Sequence, residues 1–287
     1  MEYSDLVRDV FDDERRRAFI VKNLKVSMSN LGFSEHLIED LLSNINNLDL
    51  KMFIDTHKDE LARVQLQYFF GELVPKYFKS YIIPEVPTGG KILDVGCGRG
   101  TLVACLAETG RYKEVVGLDI IAAPEWSDIT DDVSRFVVVE DGGFFDFIKN
   151  EKPDHITLTW VLHHMEDDQQ KRYLRALYEV LGEGSVMVIL EDAYSEIIPP
   201  ESGLESWEEF KTWDIEDRQK IMGAYDWIAN RVFSMRSSMP VPFTYRTVED
   251  WTGLFEDIGF TVTKSRFLGF PENRDVNTVQ SILVVKK

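Results

Sequence analysis

The stretch KILDVGCGRGTLVACLAETGRYKEVVGLDI, residues 91–120, constrains this chain more than any other segment. It reads as a strand, a glycine turn, a helix and a second strand that ends in an acid. Ile92, Leu93 and Val95 are the strand formers, and Asp94 stands just before the turn. Gly96, Gly98 and Gly100 let the backbone approach a ligand closely, because glycine lacks Cβ and tolerates positive φ. A helix beginning at Thr101 points its free N–H groups and positive dipole end into the same crevice. Asp119 closes the second strand roughly 20 residues on, where an acid accepts the hydroxyls of a ribose. Such a layout takes an adenosine-bearing ligand.

The glycine spacing narrows the choice. A dinucleotide fingerprint is G-x-G-x-x-G, whereas the glycines here stand at 96, 98 and 100 behind Asp94. That spacing leaves less room for a pyrophosphate, and the carboxylate repels one. The run DVGCGRG closely resembles the first motif of class I S-adenosylmethionine-dependent methyltransferases. The resemblance implies S-adenosyl-L-methionine as cofactor, held by Asp94, Gly96, Cys97, Gly98, Gly100, Asp119 and Ile120. It implies an acidic side chain for the adenine amino group at the end of the third strand, placed at Asp141 with Gly142 beside it. The run DHITLTWVLHHMEDD is similar to the family's strand leading into a Leu-His-His segment, which sets Thr159 and Trp160 beside the sulfonium. An aromatic face there suits a cationic methyl donor. Arg63, on the helix leading into the sheet, matches an arginine that some methyltransferases pair with the methionine carboxylate. The motifs cover residues 90–190 and, more loosely, 247–286. Asn-Pro-Pro-Tyr is missing after the fourth strand, which argues against amino methylation of DNA bases or glutamine by that route.

Residues 1–88 read as helical. Ser34 caps a helix through about Ile45, and another runs from near Met52 to Tyr77 before Pro84, Pro87 and Gly89-Gly90 break the chain. Beyond residue 91 strands and helices alternate, as in an open α/β sheet. Further strands are expected at 135–140, 154–160 and 185–190, helices at 168–181 and 248–258, and a closing hairpin at 261–268 and 278–285. The expected fold is α/β: a Rossmann-like seven-stranded methyltransferase sheet, mostly parallel with an antiparallel final hairpin. It carries an N-terminal helical cap (1–88), and the domain from 89 to 287 contains a helical lid insertion (192–246). That insertion is rich in aromatics and belongs above the carboxyl ends of the strands, where ligands sit. Tyr194, Arg231, Arg236 and Tyr245 are its candidate acceptor contacts, the arginines suiting a carboxylate or phosphate.

His163 and His164 are the general-base candidates, since imidazole titrates near neutral pH. A metal site from His163, His164, Asp167 and Asp168 is not expected, because adjacent histidines on a turn rarely converge on one ion. Two cysteines, Cys97 and Cys105, make no disulfide framework. Together with an N-terminus too charged for a secretion signal, they favour a reducing, cytoplasmic setting. The formal charge of −18, from 32 basic and 50 acidic side chains, repels nucleic acid and anionic membranes. No apolar run of about 18 residues exists to span a membrane. The reading is a methyltransferase acting on a small organic or lipid-like acceptor by direct in-line transfer. The alternatives are an RNA or protein methyltransferase, and a non-catalytic partner protein of the same fold. Nothing in the sequence specifies the oligomeric state.

Overall fold

The computed structural model describes residues 10–236, 239–270 and 278–287, except for the side chain of Asp141. The strands are β1 (Lys91–Val95), β2 (Glu114–Asp119), β3 (Ser134–Val138), β4 (His155–Thr159), β5 (Val186–Glu191), β6 (Thr261–Gly269) and β7 (Gln280–Lys286). They form one sheet in the order β3-β2-β1-β4-β5-β7-β6. The first five run parallel, and β7 inserts antiparallel between β5 and β6. The inner strands β1, β2, β4 and β5 are buried along nearly their whole length, as a sheet covered on both faces requires. Strand order reverses between β1 and β4, so a crevice opens beyond their carboxyl ends.

Helices α1 (Glu14–Leu31), α2 (Glu35–Ser43), α3 (Leu50–Phe70) and α4 (Leu73–Tyr81) precede the sheet. Asp13 and Ser34 cap the first two by accepting from the N–H groups of Arg16 and Leu37. The single helix expected from 52 to 77 is broken in two. At Gly71 the chain leaves the helical path, with ψ −132°, while its N–H still bonds Gln67 O. Pro75 then falls in the first turn of α4, where a missing N–H costs little. Helices α5 (Thr101–Glu108), α6 (Trp126–Ile129), α7 (Phe144–Glu151) and α8 (Asp167–Val180) follow β1 to β4. Between β5 and β6 lie α9 (Leu204–Phe210), α10 (Ile215–Trp227), its wider continuation Ile228–Phe233, and α11 (Val248–Ile258). The last is fixed at its start by a reciprocal pair of hydrogen bonds between Thr247 and Asp250.

Three apolar clusters result. One sheet face packs Leu93, Val116 and Ile189 against Leu174, Trp251 and Phe255. The other packs Ile92, Val115 and Val188 against Phe78, Leu102 and Leu106. The third is built from α1–α3 together with residues from Tyr194 to Tyr245, and it meets the sheet at Phe267 of β6. The N-terminal helices therefore divide: α1–α3 share a core with the insertion, whereas Val74, Tyr77 and Phe78 of α4 pack on the sheet.

Phe210 knots the third cluster. It is fully buried, with its ring 6.5 Å from Phe19 of α1, 5.6 Å from Tyr194 and 5.5 Å from Phe270 at the end of β6. Phe210→Ala is expected to cost about 3–5 kcal/mol, as for other buried aromatics. Urea unfolding checks this; a loss below about 1 kcal/mol would mean the helical layer closes around the gap.

Candidate functional site

A cavity of about 890 Å³ opens beyond the carboxyl ends of β1, β2, β4 and β5. Its walls include Gly96, Cys97, Gly98, Asp119, Ile120, Trp160, His163, His164 and Arg236, all expected from the sequence. Asp119 holds the crevice open. One carboxylate oxygen accepts from Gly98 N at 2.8 Å, and the other from Ile120 N at 2.7 Å and Ile121 N at 3.2 Å. Gly98 has φ +54°, and a Cβ there would meet only Arg236, at 3.6 Å. At Gly100, φ +86°, a Cβ would fall 2.7 Å from the Phe136 ring. Gly98 thus leaves space at the cavity wall, whereas Gly100 serves packing at the start of α5.

Other sequence candidates lie elsewhere. Asp94 is buried behind the turn, accepting from the Thr157 hydroxyl at 2.7 Å. Burial lifts its carboxyl to about 7, against that hydrogen bond and assisted by the charge of Asp119. Gly142 is not among the lining residues, and the side chain of Asp141 lies outside those described. Arg63 is a correction: its side chain is 59 % exposed beside Glu60, away from the cavity wall. Tyr194 does not line the cavity either, but is buried with the Arg218 guanidinium over its ring. Arg231 donates to Met239 O instead of facing an acceptor. Tyr245 is also off the wall, and its hydroxyl donates to Asp226 at 2.8 Å. The thiol of Cys97 is raised well above its ordinary range, chiefly by burial, so it is an inert wall atom.

Among the residues of the site that were not foreseen are Gln65, Glu191, Asp192 and Asp226. The strand expected at 185–190 stops one residue short of Glu191, although the carboxyl end of a central strand is where ligand-facing acids belong. Asp226 carries no local signal, because α10 is buried on nearly all sides along its second half. Glu191 accepts from the N–H groups of Val161 and Leu162, at 3.0 and 2.7 Å, and from His163 Nδ1 at 2.5 Å. His163 Nε2 lies 3.8 Å from Asp226. Burial opposes a charge on His163, but Glu191 and Asp226 outweigh it and raise the imidazole to about 10. The two carboxylates therefore favour the imidazolium form of His163. His164 differs: burial first, and then the charge of His163, push its pKa down. Its Nδ1 donates to Pro240 O at 2.9 Å, which leaves Nε2 with the lone pair. The ligating atoms of His163, His164 and Asp226 lie within 4.8 Å of one another. Glu191 and Pro240 already occupy the Nδ1 atoms of the two histidines, so a cation there would have to be held through their Nε2 atoms.

Residues 63–265 match the family model for a methyltransferase domain. The chain belongs to this family. It is a class I S-adenosylmethionine-dependent methyltransferase. An uncharacterized methyltransferase of Geobacillus sp. (strain WCH70) is 26 % identical over 176 residues, 61 % of this chain and 71 % of that protein. Another, of Geobacillus kaustophilus, is 30 % identical over 107 residues, 37 % of this chain and about half (48 %) of its relative. In fold the methyltransferase is similar to the Burkholderia thailandensis 1,6-didemethyltoxoflavin-N1-methyltransferase, solved with 1,6-didemethyltoxoflavin and S-adenosylhomocysteine. The TM-score is 0.50 at 14 % identity, covering 89 % of this chain and 91 % of that one.

The cavity wall fits the cofactor. Gln65, Thr101, Glu125, Trp160 and Thr278 all line it, and each has a buried polar atom without a hydrogen-bond partner among the described residues. Native proteins rarely leave such atoms unsatisfied, so five of them around one cavity mark a polar ligand's place. Trp160, at φ +57° and stacked on Tyr77, adds an aromatic face. The cofactor supplies an electrophilic methyl; the chain supplies shape, charge and exclusion of water. Among the described residues no helix is long and apolar enough to cross a membrane.

Asp94 has a folded pKa above its ordinary 3.8, so its contribution to stability is full below that value and is lost as pH rises through about 7. Unfolding free energies measured across this window should fall less steeply for Asp94→Asn than for the parent chain. Asp192, also lifted to about 7 by burial, should retain the remaining slope. An unchanged slope in Asp94→Asn would contradict the assignment.

Proposed function

We propose that this methyltransferase acts on a small organic or lipid-like acceptor held between the glycine turn and the helical layer. The cofactor is bound by Gly96, Cys97, Gly98, Asp119 and Trp160. The observation that carries the reading is the single cavity that runs from the glycine turn to His164 and is roofed by Phe33, Phe233, Met235 and Met239. Its size falls within the range of about 300–1,000 Å³ common to small-molecule sites. Residues 1–88 act as a cap and 192–246 as a lid, and the core that α1–α3 share with the lid supports that roof.

His164 is the base if the acceptor must lose a proton. Its neutral imidazole offers Nε2, while His163, charged between Glu191 and Asp226, fixes the turn and the local field. Asp192 and Asp226 in the same wall favour an acceptor with a hydroxyl or amine donor. The Burkholderia enzyme's named substrate is likewise a small heterocycle. An RNA or protein acceptor would call for a basic groove. The basic run 230–246 is largely spent inside the protein, however: Arg231 bonds a carbonyl, and Arg246 bonds Asp167 and Gln170.

Incubation with methyl-labelled S-adenosylmethionine and fractionated cell extract tests the acceptor class. Label should pass into the dialysable fraction or the solvent-extracted lipid; label confined to RNA or protein would sink the reading. With the acceptor in hand, His164→Ala should lower kcat by roughly 10²–10⁴-fold while cofactor affinity is retained. Because the neutral imidazole is the active form and its pKa lies below 6.5, the parent kcat should decline only toward acid pH. A pH profile unaltered by the substitution would remove His164 from the chemistry.

A further inference from the structure

The cavity wall contains two arginines among the described residues, Arg99 and Arg236, and no lysine. Arg99 is committed, pairing with Glu125 and donating to the Gln65 side-chain oxygen. Arg236 comes from the insertion and reaches the glycine turn, with Nη2 3.6 Å from where a Gly98 Cβ would stand. No hydrogen bond or ion pair to its guanidinium exists among the described residues. Burial works against its charge, and Asp119 is the acid that favours it most. Both carboxylate oxygens of Asp119 are already engaged by backbone N–H groups. A half-buried guanidinium of this kind calls for an anion.

The backbone of Arg236 is well anchored. Its N–H donates to Asn230 O, and its carbonyl accepts from Met239 N–H. Asn230 in turn donates to Asp226 at 2.6 Å. The arginine is thus set by the same insertion that frames the acceptor end.

We propose that Arg236 is the counter-ion for the amino-acid carboxylate of the cofactor, replacing the exposed Arg63 in that role and coupling cofactor binding to the seating of the insertion. The inference rests on the cofactor assignment and is independent of the acceptor. A chain of net charge −18 has particular need of a local cation if a carboxylate is to enter.

Calorimetric titration of the full chain with S-adenosylhomocysteine, and with its decarboxylated analogue that keeps adenosine, thioether and amine, tests it. The parent chain should prefer the carboxylate ligand. Arg236→Gln should weaken that ligand roughly 10- to 100-fold, the usual range for a charged hydrogen-bonded pair, and leave the analogue unchanged. Arg236→Lys should recover part of the preference. Hydrogen exchange in residues 228–236 should slow with S-adenosylhomocysteine and not with the analogue. Equal weakening of both ligands would assign Arg236 a packing role and overturn the proposal. Tighter binding of both would show that the guanidinium obstructs the crevice, and would overturn it as well. Retained binding of the analogue shows that the variant is folded.

Discussion

The protonated His163, set between Glu191 and Asp226, is the contact on which the geometry of the site depends. Glu191 ends a central strand and also holds the Val161 and Leu162 N–H groups, so it fixes the turn that places Trp160 and both histidines. Asp226 belongs to the insertion and is itself held by Tyr245 and Asn230. One imidazolium therefore joins the sheet to the helical layer. Removing any member leaves an uncompensated buried charge, which is far more costly than never having built the group.

The same contact divides the labour of the adjacent histidines. His163 sits where carboxylates stabilise its charge; His164, one residue on, has burial and a cationic neighbour working against charge. Neighbouring groups whose environments push their pKa values apart are a recurring way of assigning proton roles. Residue type alone could not make the distinction, since both were equivalent candidates in the sequence.

What the sequence made legible was whatever is encoded by local spacing. Gly96, Gly98 and Asp119 fall on the cavity because a strand, a tight turn and a helix leave little choice about where residues separated by fixed distances go. The sheet and its final hairpin were legible for the same reason. The chemistry supplied by the insertion was not. Arg231, Tyr194 and Tyr245 have the right composition for acceptor contacts, yet their side chains turn to Met239, Arg218 and Asp226 instead. Asp226 itself lies in a helix buried on several sides, where no periodicity distinguishes a site residue from a core residue. Arg63 failed for a simpler reason: a charged residue on an amphipathic helix can face either way, and this one faces water. The break at Gly71 was hidden because residues on either side of it continue an apolar pattern.

The core shared by α1–α3 and the insertion has a consequence for how the chain is made. Phe19 waits for Phe210 and Phe270, and Phe33 for Phe233. Contacts this far apart in sequence must absorb a large loop-closure entropy before they form, which slows their assembly. On a ribosome the first three helices emerge early and find their apolar faces uncovered until most of the chain has followed. They are the segment most in need of chaperone shelter during synthesis. The roof over the cavity joins Phe33 to residues 233–239, so it too closes only after most of the chain has been made.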